Sequence, residues 1–368
     1  MLLKELQIVS FDNPYPPNYG GAIDVFYKIK ALSNLGVTIH LHAFYDHRCD
    51  VSGLEQFCSS IKLYKRNKSI VKHFSLLPFS VNTRVNTDLI QHLKRNKAPI
   101  LFESLICSKP LDDLSMTHKT IVRCHNIEHD YSLGLSKSEQ SPLCKLAFYI
   151  ESLKLKRFEK ILNKANSLLS LSHYEVSYFE KAIKSNVLFT PVFQGYESIA
   201  ALTEFGDYAL YHGDLSISDN LKSVQFLVDV FSETNHKLIV ASSRIPKYLS
   251  AKNKSVSNVD FVQVINHKHL SALVKKAHVN VLYSFQRSGT KLKLFSALYN
   301  GRHCIVNKNI VDDSSVLDCC EIAETKANYI MKVEMMFKTP YVLSAKRVKA
   351  LQPYNALKNA KSLLEKLD

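Results

Sequence analysis

The sequence predicts an α/β protein of two tandem Rossmann-like domains facing a central cleft. Three observations lead there. The chain has 368 residues, more than a single core usually organises, since single cores stop growing near about 250–300 residues. Apolar runs of strand length alternate with amphipathic segments of helix length, the pattern of a parallel sheet wrapped by helices. Midway, "NVLFTPVFQGYES" interrupts that alternation with proline, glycine and aromatic residues, as a linker does. The expected domains are residues 1–187 and 188–352, followed by a last helix over 353–368.

The elements follow in order. "LQIVSF" is a strand, and "AIDVFYKIKALSNLG" sets Val25, Ile29, Leu32 and Leu35 on one helical face before Gly36 stops it. "VTIHLHAF" closes this first β-α-β unit. "PILFESL" and "KTIVRCHN" are further strands, then come a long helix from about 142 to 163, the strand "NSLLSLS" and a helix over about 173–183. Past the linker, "YALYHGD", a helix near 220–232, "KLIVASS", "VDFVQVI", a helix near 268–277 and "VNVLYS" repeat the scheme. "SGTKLKLFSALYNG" (288–301) then has a helix outline, with Thr290 as cap, Leu292, Phe295 and Tyr299 at helical spacing, and Gly301 as stop. "RHCIVN" is the next strand, and "PYNALKNAKSLLEKLD" is the last helix.

Composition excludes several classes. No apolar run of 18 residues could span a bilayer, and "MLLKELQIVSF" lacks the features of a secretory signal, so a cytoplasmic protein is expected. The eight cysteines form no C-x-x-C pair, which speaks against a zinc or redox motif. A formal charge of +15 points to anionic partners, yet no tryptophan, arginine cluster or reading-helix module supports nucleic acid. One dense cationic run, "IKLYKRNKSIVKHF", places Lys62, Lys65, Arg66, Lys68 and Lys72 beside Tyr64, Ile70 and Phe74 with no acid. It predicts peripheral, salt-sensitive contact with an anionic membrane.

Doubly wound sheets bind ligands beyond the carboxyl ends of their strands, and the polar motifs fall there. Gly20 and Gly21 stand before the first helix, where absent side chains let a ligand approach the helix N-terminus, although the spacing is not G-x-G-x-x-G. Glu103 ends one strand, and His125, Asn126 and Glu128 follow another, with His125 the natural catalytic candidate. Arg244 follows "KLIVAS". Lys291 and Lys293 sit in the first turn of a helix, where two cations are unfavourable unless an anion arrives.

Together "IVSFDNPYPPNYGGAIDVFYKIKALSNLG", "VRCHNIEHDY", "TPVFQ", "YHGDLSISDN" and "SFQRSGTKLKLFSALYNGRHCIVN" resemble a glycosyltransferase of the GT-B fold. The likeness is to the group related to retaining glycosyltransferase family four, bacterial cell-envelope type. The resemblance implies acceptor binding on the first domain, nucleotide-sugar binding on the second, and a final helix crossing back to the first. Gly20 and Gly21 match the glycine loop near the donor diphosphate and acceptor, and His125 matches a residue of the active-site wall. Gly213 matches the glycine opening the donor site, and Lys293 matches the basic residue facing the diphosphate. Ser288 and Ser296 occupy the positions of two family glutamates, the second of which holds ribose, and Asp214 replaces an arginine. Phosphate binding then leans on Lys291, Lys293 and Arg244, within a donor stretch that includes Gly289 and Thr290.

The expected activity is transfer of a sugar from a nucleotide-sugar to a cell-surface glycan or lipid-linked acceptor, retaining by resemblance and without cofactor. No metal is expected, because no D-x-D stands at a strand end while basic residues are present. Glu103, Asn126 and Glu128 are the acceptor-side candidates. The alternatives are a nucleotide-sugar epimerase or hydrolase on the same fold, or a degenerate glycan-binding relative that has lost catalysis.

Overall fold

A computed structural model describes residues 4–246, 249, 256–287 and 289–367. The described chain forms two compact units. One runs through Ser136 and from Leu143 to Gly195, and takes back the chain from Pro353; the other holds 137–142 and Tyr196–Gln352.

The first unit is a seven-stranded sheet in the order β3-β2-β1-β4-β5-β6-β7. Its strands are β1 (Glu5–Ser10), β2 (Thr38–Tyr45), β3 (Ser60–Lys65), β4 (Ile100–Glu103), β5 (Thr120–Cys124), β6 (Ser167–Ser170) and β7 (Asn186–Phe189). Every pairing is parallel. The order reverses between β1 and β4, and that switch point is where such sheets leave room for a ligand. The helices used below are α1 (Gly20–Asn34), α2 (Glu128–Ser138), α3 (Pro142–Phe158) and α4 (His173–Ala182).

Strand period 2 determines what lies under α1. Leu101 and Ile121 face the layer of Val25, Ile29 and Leu32, so Glu103 and Arg123, two residues further along adjacent strands, face it too. The boundary between units falls at Gly195, later than the 187/188 division expected. Arg123 donates to the carbonyls of Thr190 and Pro191, and Asp24 accepts from the Phe193 amide, which ties this stretch to the first sheet.

The second unit is a six-stranded sheet in the order β10-β9-β8-β11-β12-β13, again parallel throughout. Its strands are β8 (Ala209–His212), β9 (Leu238–Ser242), β10 (Val259–Gln263), β11 (Val279–Leu282), β12 (His303–Val306) and β13 (Glu321–Ile322). Its switch point lies between β8 and β11. The helices α5 (Ser218–Phe231), α6 (His267–Lys276), α7 (Leu292–Asn300) and α8 (Lys326–Phe337) belong here.

The last helix, α9 (Ala356–Leu367), returns to the first unit. Ala360, Leu363 and Leu364 are buried in one cluster with Val25 and Ile29 of α1, and Asn359 Nδ2 donates to the Pro191 carbonyl at 2.8 Å. Apolar burial at roughly 25 cal/mol per Å² is the term that holds it there.

Candidate functional site

In the first unit the polar residues gather at the carboxyl edge of β1, β4 and β5. The loop after β1 leads through Phe11 and Tyr19 into Gly20 and Gly21, the first residues of α1. No side chain caps that helix and no acid lies in its first turn, so its leading N–H groups keep their partial positive charge. Gly21 has a packing reason as well. A Cβ there would sit 2.5 Å from Phe11 Cζ, and Phe11 in turn packs edge-on against His125 with ring centroids 5.4 Å apart.

Beneath this edge lies a buried network of five ionisable residues, Asp24, Lys28, Glu103, Arg123 and His125. Arg123 grips Asp24 with two bonds, Nε to Oδ2 at 2.8 Å and Nη2 to Oδ1 at 2.9 Å. Lys28 Nζ bridges the carboxylates, 3.1 Å from Asp24 Oδ2 and 2.8 Å from Glu103 Oε1. Burial pushes the Asp24 carboxyl up, but Arg123 and Lys28 overcome it and hold it well below the ordinary range. Glu103 is likewise lowered against its burial, by Lys28 and by its bond to His125. Two anions and two cations thus lie together in the network.

His125 Nε2 lies 3.0 Å from Glu103 Oε2. A carboxylate only accepts, so this bond puts a proton on Nε2 and turns Nδ1 to the far side of the ring. Asn126 is half-buried at the next position. Glu128 opens α2, where burial raises its pKa despite the 2.6 Å bond it accepts from Ser104 Oγ. Ser104, directly after Glu103, has φ 90° and ψ 150°, backbone that L side chains rarely adopt and that concentrates at functional sites.

Asp24, Glu103 and His125 bring three donor atoms within 4.8 Å of one another. A metal ion there would have to displace Lys28 from both carboxylates and Arg123 from one.

In the second unit Gly213 follows β8, and a Cβ on it would come within 3.3 Å of the Tyr211 hydroxyl and crowd the Asn220 side chain. Lys293 Nζ donates to that hydroxyl at 3.1 Å and to Asn220 Oδ1 at 3.2 Å, 4.7 Å from the Tyr211 ring centre. Both hydrogen-bond partners are neutral. Burial lowers the Lys293 pKa to about 7, with Lys291 adding to the shift and Asp219 opposing it. Around it several buried polar atoms have no hydrogen-bond partner among the described residues: His212 Nε2, Asp219 Oδ1 and Gln286 Nε2. Buried polar groups are usually satisfied, so these three concentrate unused hydrogen-bonding capacity at one switch point. His212 is neutral, its pKa lowered to about 3 by burial and the Lys293 charge.

Thr290 does not cap the helix. α7 starts at Leu292 with Lys291 in the cap position and no side-chain cap, because Lys291, which would be the first helical residue after a Thr290 cap, is extended, with φ -84° and ψ 101°. Lys291 is thus the cap residue and Lys293 lies inside the first turn. Ser296 is buried one turn further on. Ser288 lies outside the described residues. Arg244 is exposed after β9, where Ser242 Oγ donates to its carbonyl and accepts from the Leu215 amide in the loop after Gly213.

The cationic run divides. Tyr64, expected at the surface, is buried, its hydroxyl 2.9 Å from His42 Nδ1 and 2.8 Å from His92 Nδ1. Arg66 reaches Thr83 Oγ1 and Lys72 donates to the Asn82 carbonyl, both half-buried, and Lys62 is half-buried too. Lys65 and Lys68 are exposed.

Sequence reasoning missed Asp24, Lys28, Ser104, His212, Asp219 and Asn220. For the first two a signal exists, since charged residues four apart on the apolar face of Val25, Ile29 and Leu32 require buried partners.

These two parallel-sheet units form the GT-B fold of glycosyltransferases. Sucrose-phosphate synthase from Thermosynechococcus elongatus superimposes with a TM-score of 0.67 at 15% identity, over 99% of this chain and 94% of that one. The lipopolysaccharide outer core galactosyltransferase WaaB, in its apo form, gives 0.66 at 12% identity, over 98% and 99%. An uncharacterized 44.6 kDa protein in the cps region of Klebsiella pneumoniae is 28% identical over 192 residues, 49% of each chain. The match thus spans about half the length of that curated relative. No family model matches the sequence.

Proposed function

We propose that this protein is a glycosyltransferase that moves a sugar from a nucleotide-sugar to a cell-surface glycan or lipid-linked acceptor, with retention and without a metal. The observation that carries the reading is Lys293, a cation held on neutral partners at an uncapped helix N-terminus among unsatisfied buried polar atoms.

The chemistry follows from charge. As the glycosidic bond breaks, the diphosphate leaving group gains negative charge. Lys293, Lys291 and the first N–H groups of α7 would meet that charge, so they stabilise the transition state more than the ground state. Arg244 supplies a further cation at the same sheet edge. Gly213 keeps the approach to the Tyr211–Asn220–Lys293 group open. On the first unit, the uncapped start of α1 at Gly20 and Gly21 offers N–H donors, and the His125 ring is oriented by its bond to Glu103. Asn126 and Glu128 supply polar contacts for the acceptor. Lys28 and Arg123 fill the coordination of Asp24 and Glu103, which supports a reaction that uses no divalent cation.

WaaB, a lipopolysaccharide galactosyltransferase by name, and the cps-region relative support an envelope glycan as acceptor. Ser296, buried and too short to replace a glutamate's reach, favours one second reading, a glycan-binding relative without transfer. The test is nucleoside diphosphate release from UDP-, GDP- and ADP-sugars with and without an envelope glycan fraction. Release that requires both donor and acceptor supports transfer. Release without acceptor indicates hydrolysis, and binding without release indicates the second reading.

A further inference from the structure

Two cysteines of the second unit meet although their spacing in the chain does not announce it. β12 pairs with β13 in parallel, Ile305 against Glu321 and Val306 against Ile322. One step earlier in that register sets Cys304 beside Cys320, and residues opposite one another on parallel strands send their side chains to the same face. Such strands lie about 4.8 Å apart, inside the roughly 4.4–6.8 Å between Cα atoms that a disulfide tolerates. The two side chains are in contact. A hydrogen bond with the Cys304 thiol, and then burial, raises the Cys320 thiol well above its ordinary pKa.

Both are free thiols, Cys304 buried and Cys320 half-buried. A polar cavity of about 170 Å³ opens onto the pair, with Arg302, Tyr341 and Arg347 in its wall. A water molecule needs only about 10–15 Å³ of such space, so a small hydroperoxide can reach the sulfur atoms. Cys319 also lines this cavity, but its Sγ donates to the Ser315 carbonyl at 3.3 Å on the short helix Ser314–Leu317.

The two thiols stand at the ends of the crossover from β12 to β13, and that crossover supports the edge where α7 begins. Asn307 Nδ2 donates to the Ser284 carbonyl at 2.8 Å, its Oδ1 accepts from the Ser284 amide at 3.1 Å, and the Ile310 carbonyl accepts from the Lys291 amide at 3.3 Å.

We propose that Cys304 and Cys320 form a redox modification site, a thiol pair that a hydroperoxide converts into a reversible disulfide clamping the 305–319 crossover. The Cys320 thiolate attacks the peroxide, the O–O bond breaks, an alcohol or water leaves, and a sulfenic acid remains. The Cys304 sulfur then displaces that hydroxyl as water and the S–S bond forms. In sum two thiols lose two protons and two electrons, and the hydroperoxide becomes one alcohol and one water. An added thiol reverses the change by thiol–disulfide exchange. The raised Cys320 pKa leaves little thiolate at neutral pH, so the pair answers sustained oxidation and reacts faster as pH rises.

This site does not depend on the donor reading, and its test uses no nucleotide. Reduced full-length protein is treated with hydrogen peroxide at about pH 7 and about pH 9, denatured, alkylated and mapped by mass spectrometry without reduction. The expected product is a peptide pair joined through Cys304 and Cys320, formed several times faster at the higher pH and released by dithiothreitol. Cys304→Ala and Cys320→Ala should each abolish it, and Cys319→Ala should retain it; the half-buried Cys320 serves alone if the Cys304 variant fails to fold. Because a cross-link restricts the unfolded chain, oxidation should raise Tm by several degrees in wild type and Cys319→Ala and leave Cys320→Ala where it was. Free thiols at 304 and 320 after treatment, a bond made through Cys319 instead, or Cys320 carried to sulfonic acid without cross-linking would overturn the proposal. A Cys304–Cys320 bond that leaves Tm unchanged or lowers it would overturn the clamp.

Discussion

Glu103 Oε2 and His125 Nε2 lie 3.0 Å apart, and the same carboxylate holds Lys28, so the histidine's orientation is tied to a charge network closed off from water. Glu103→Gln preserves the shape of that contact but not its charge. On the transferase reading it lowers kcat about tenfold or more, as when the group orienting a catalytic histidine is altered. Donor affinity stays unchanged. Steady-state kinetics across pH, with donor binding measured separately, check this; equal loss in both would point to a structural role alone.

The same network predicts acid sensitivity. Asp24 and Glu103 have folded pKa values below their unfolded ones, so the unfolded chain binds protons first as pH falls. Their contribution to stability is complete above about pH 4–5 and is lost progressively below it. Asp24→Asn should flatten this acid limb in urea melts at a series of pH values, while lowering stability at pH 7 by about 3–5 kcal/mol, because Arg123 and Lys28 lose a buried partner.

Lys293 predicts a pH dependence of the opposite kind. With a pKa of about 7, the amine is losing its charge as pH rises through neutrality, and an arriving diphosphate favours the charged form. Affinity for a nucleoside diphosphate should therefore fall as pH rises from about 6 to 9, with a proton taken up on binding. Titration calorimetry in buffers of different ionisation enthalpy measures that proton, and Lys293→Met should abolish it. The linked effect is expected in the free protein: its unfolded state binds the proton up to about pH 10.4, so the penalty for burying a charged Lys293 shrinks and stability rises as pH rises through this window.

Chelation tests the reading of the Asp24–Glu103–His125 group. With Lys28 and Arg123 already on its carboxylates, EDTA should leave transfer within about twofold, since no Lewis acid is called for at that edge. Strict dependence on added magnesium or manganese would contradict it.

The sequence made the architecture legible because parallel sheets leave apolar runs at regular spacing, and strand ends placed Gly20, Glu103, His125 and Gly213 at the correct edge. Lys293 stood out as a cation where a helix does not favour one. The surroundings were less visible. Asp24 and Lys28 look like surface charges until Leu101/Glu103 and Ile121/Arg123 are seen to share a face with α1, a long-range fact of register. The start of α7 was misplaced at Thr290 because Lys291 is extended rather than helical, which residue identity permits without requiring. Tyr64 was misread as surface because a strand alternates faces, turning it inward toward His42 and His92 beside exposed Lys65.

The central claim is that the Lys293 pocket of the second unit holds the diphosphate of a nucleotide-sugar. The most direct measurement is thermal unfolding of wild type and Lys293→Ala with UDP, GDP, ADP and CMP and their sugars, since a ligand that binds only the folded state raises its stability by about 2.7 kcal/mol at a hundred times Kd. One nucleotide class should raise the wild-type Tm, its diphosphate more than its monophosphate, and the variant should lose most of that shift while unfolding cooperatively by itself. A wild type unmoved by every nucleotide, or a variant stabilised as fully as the wild type, would contradict the assignment.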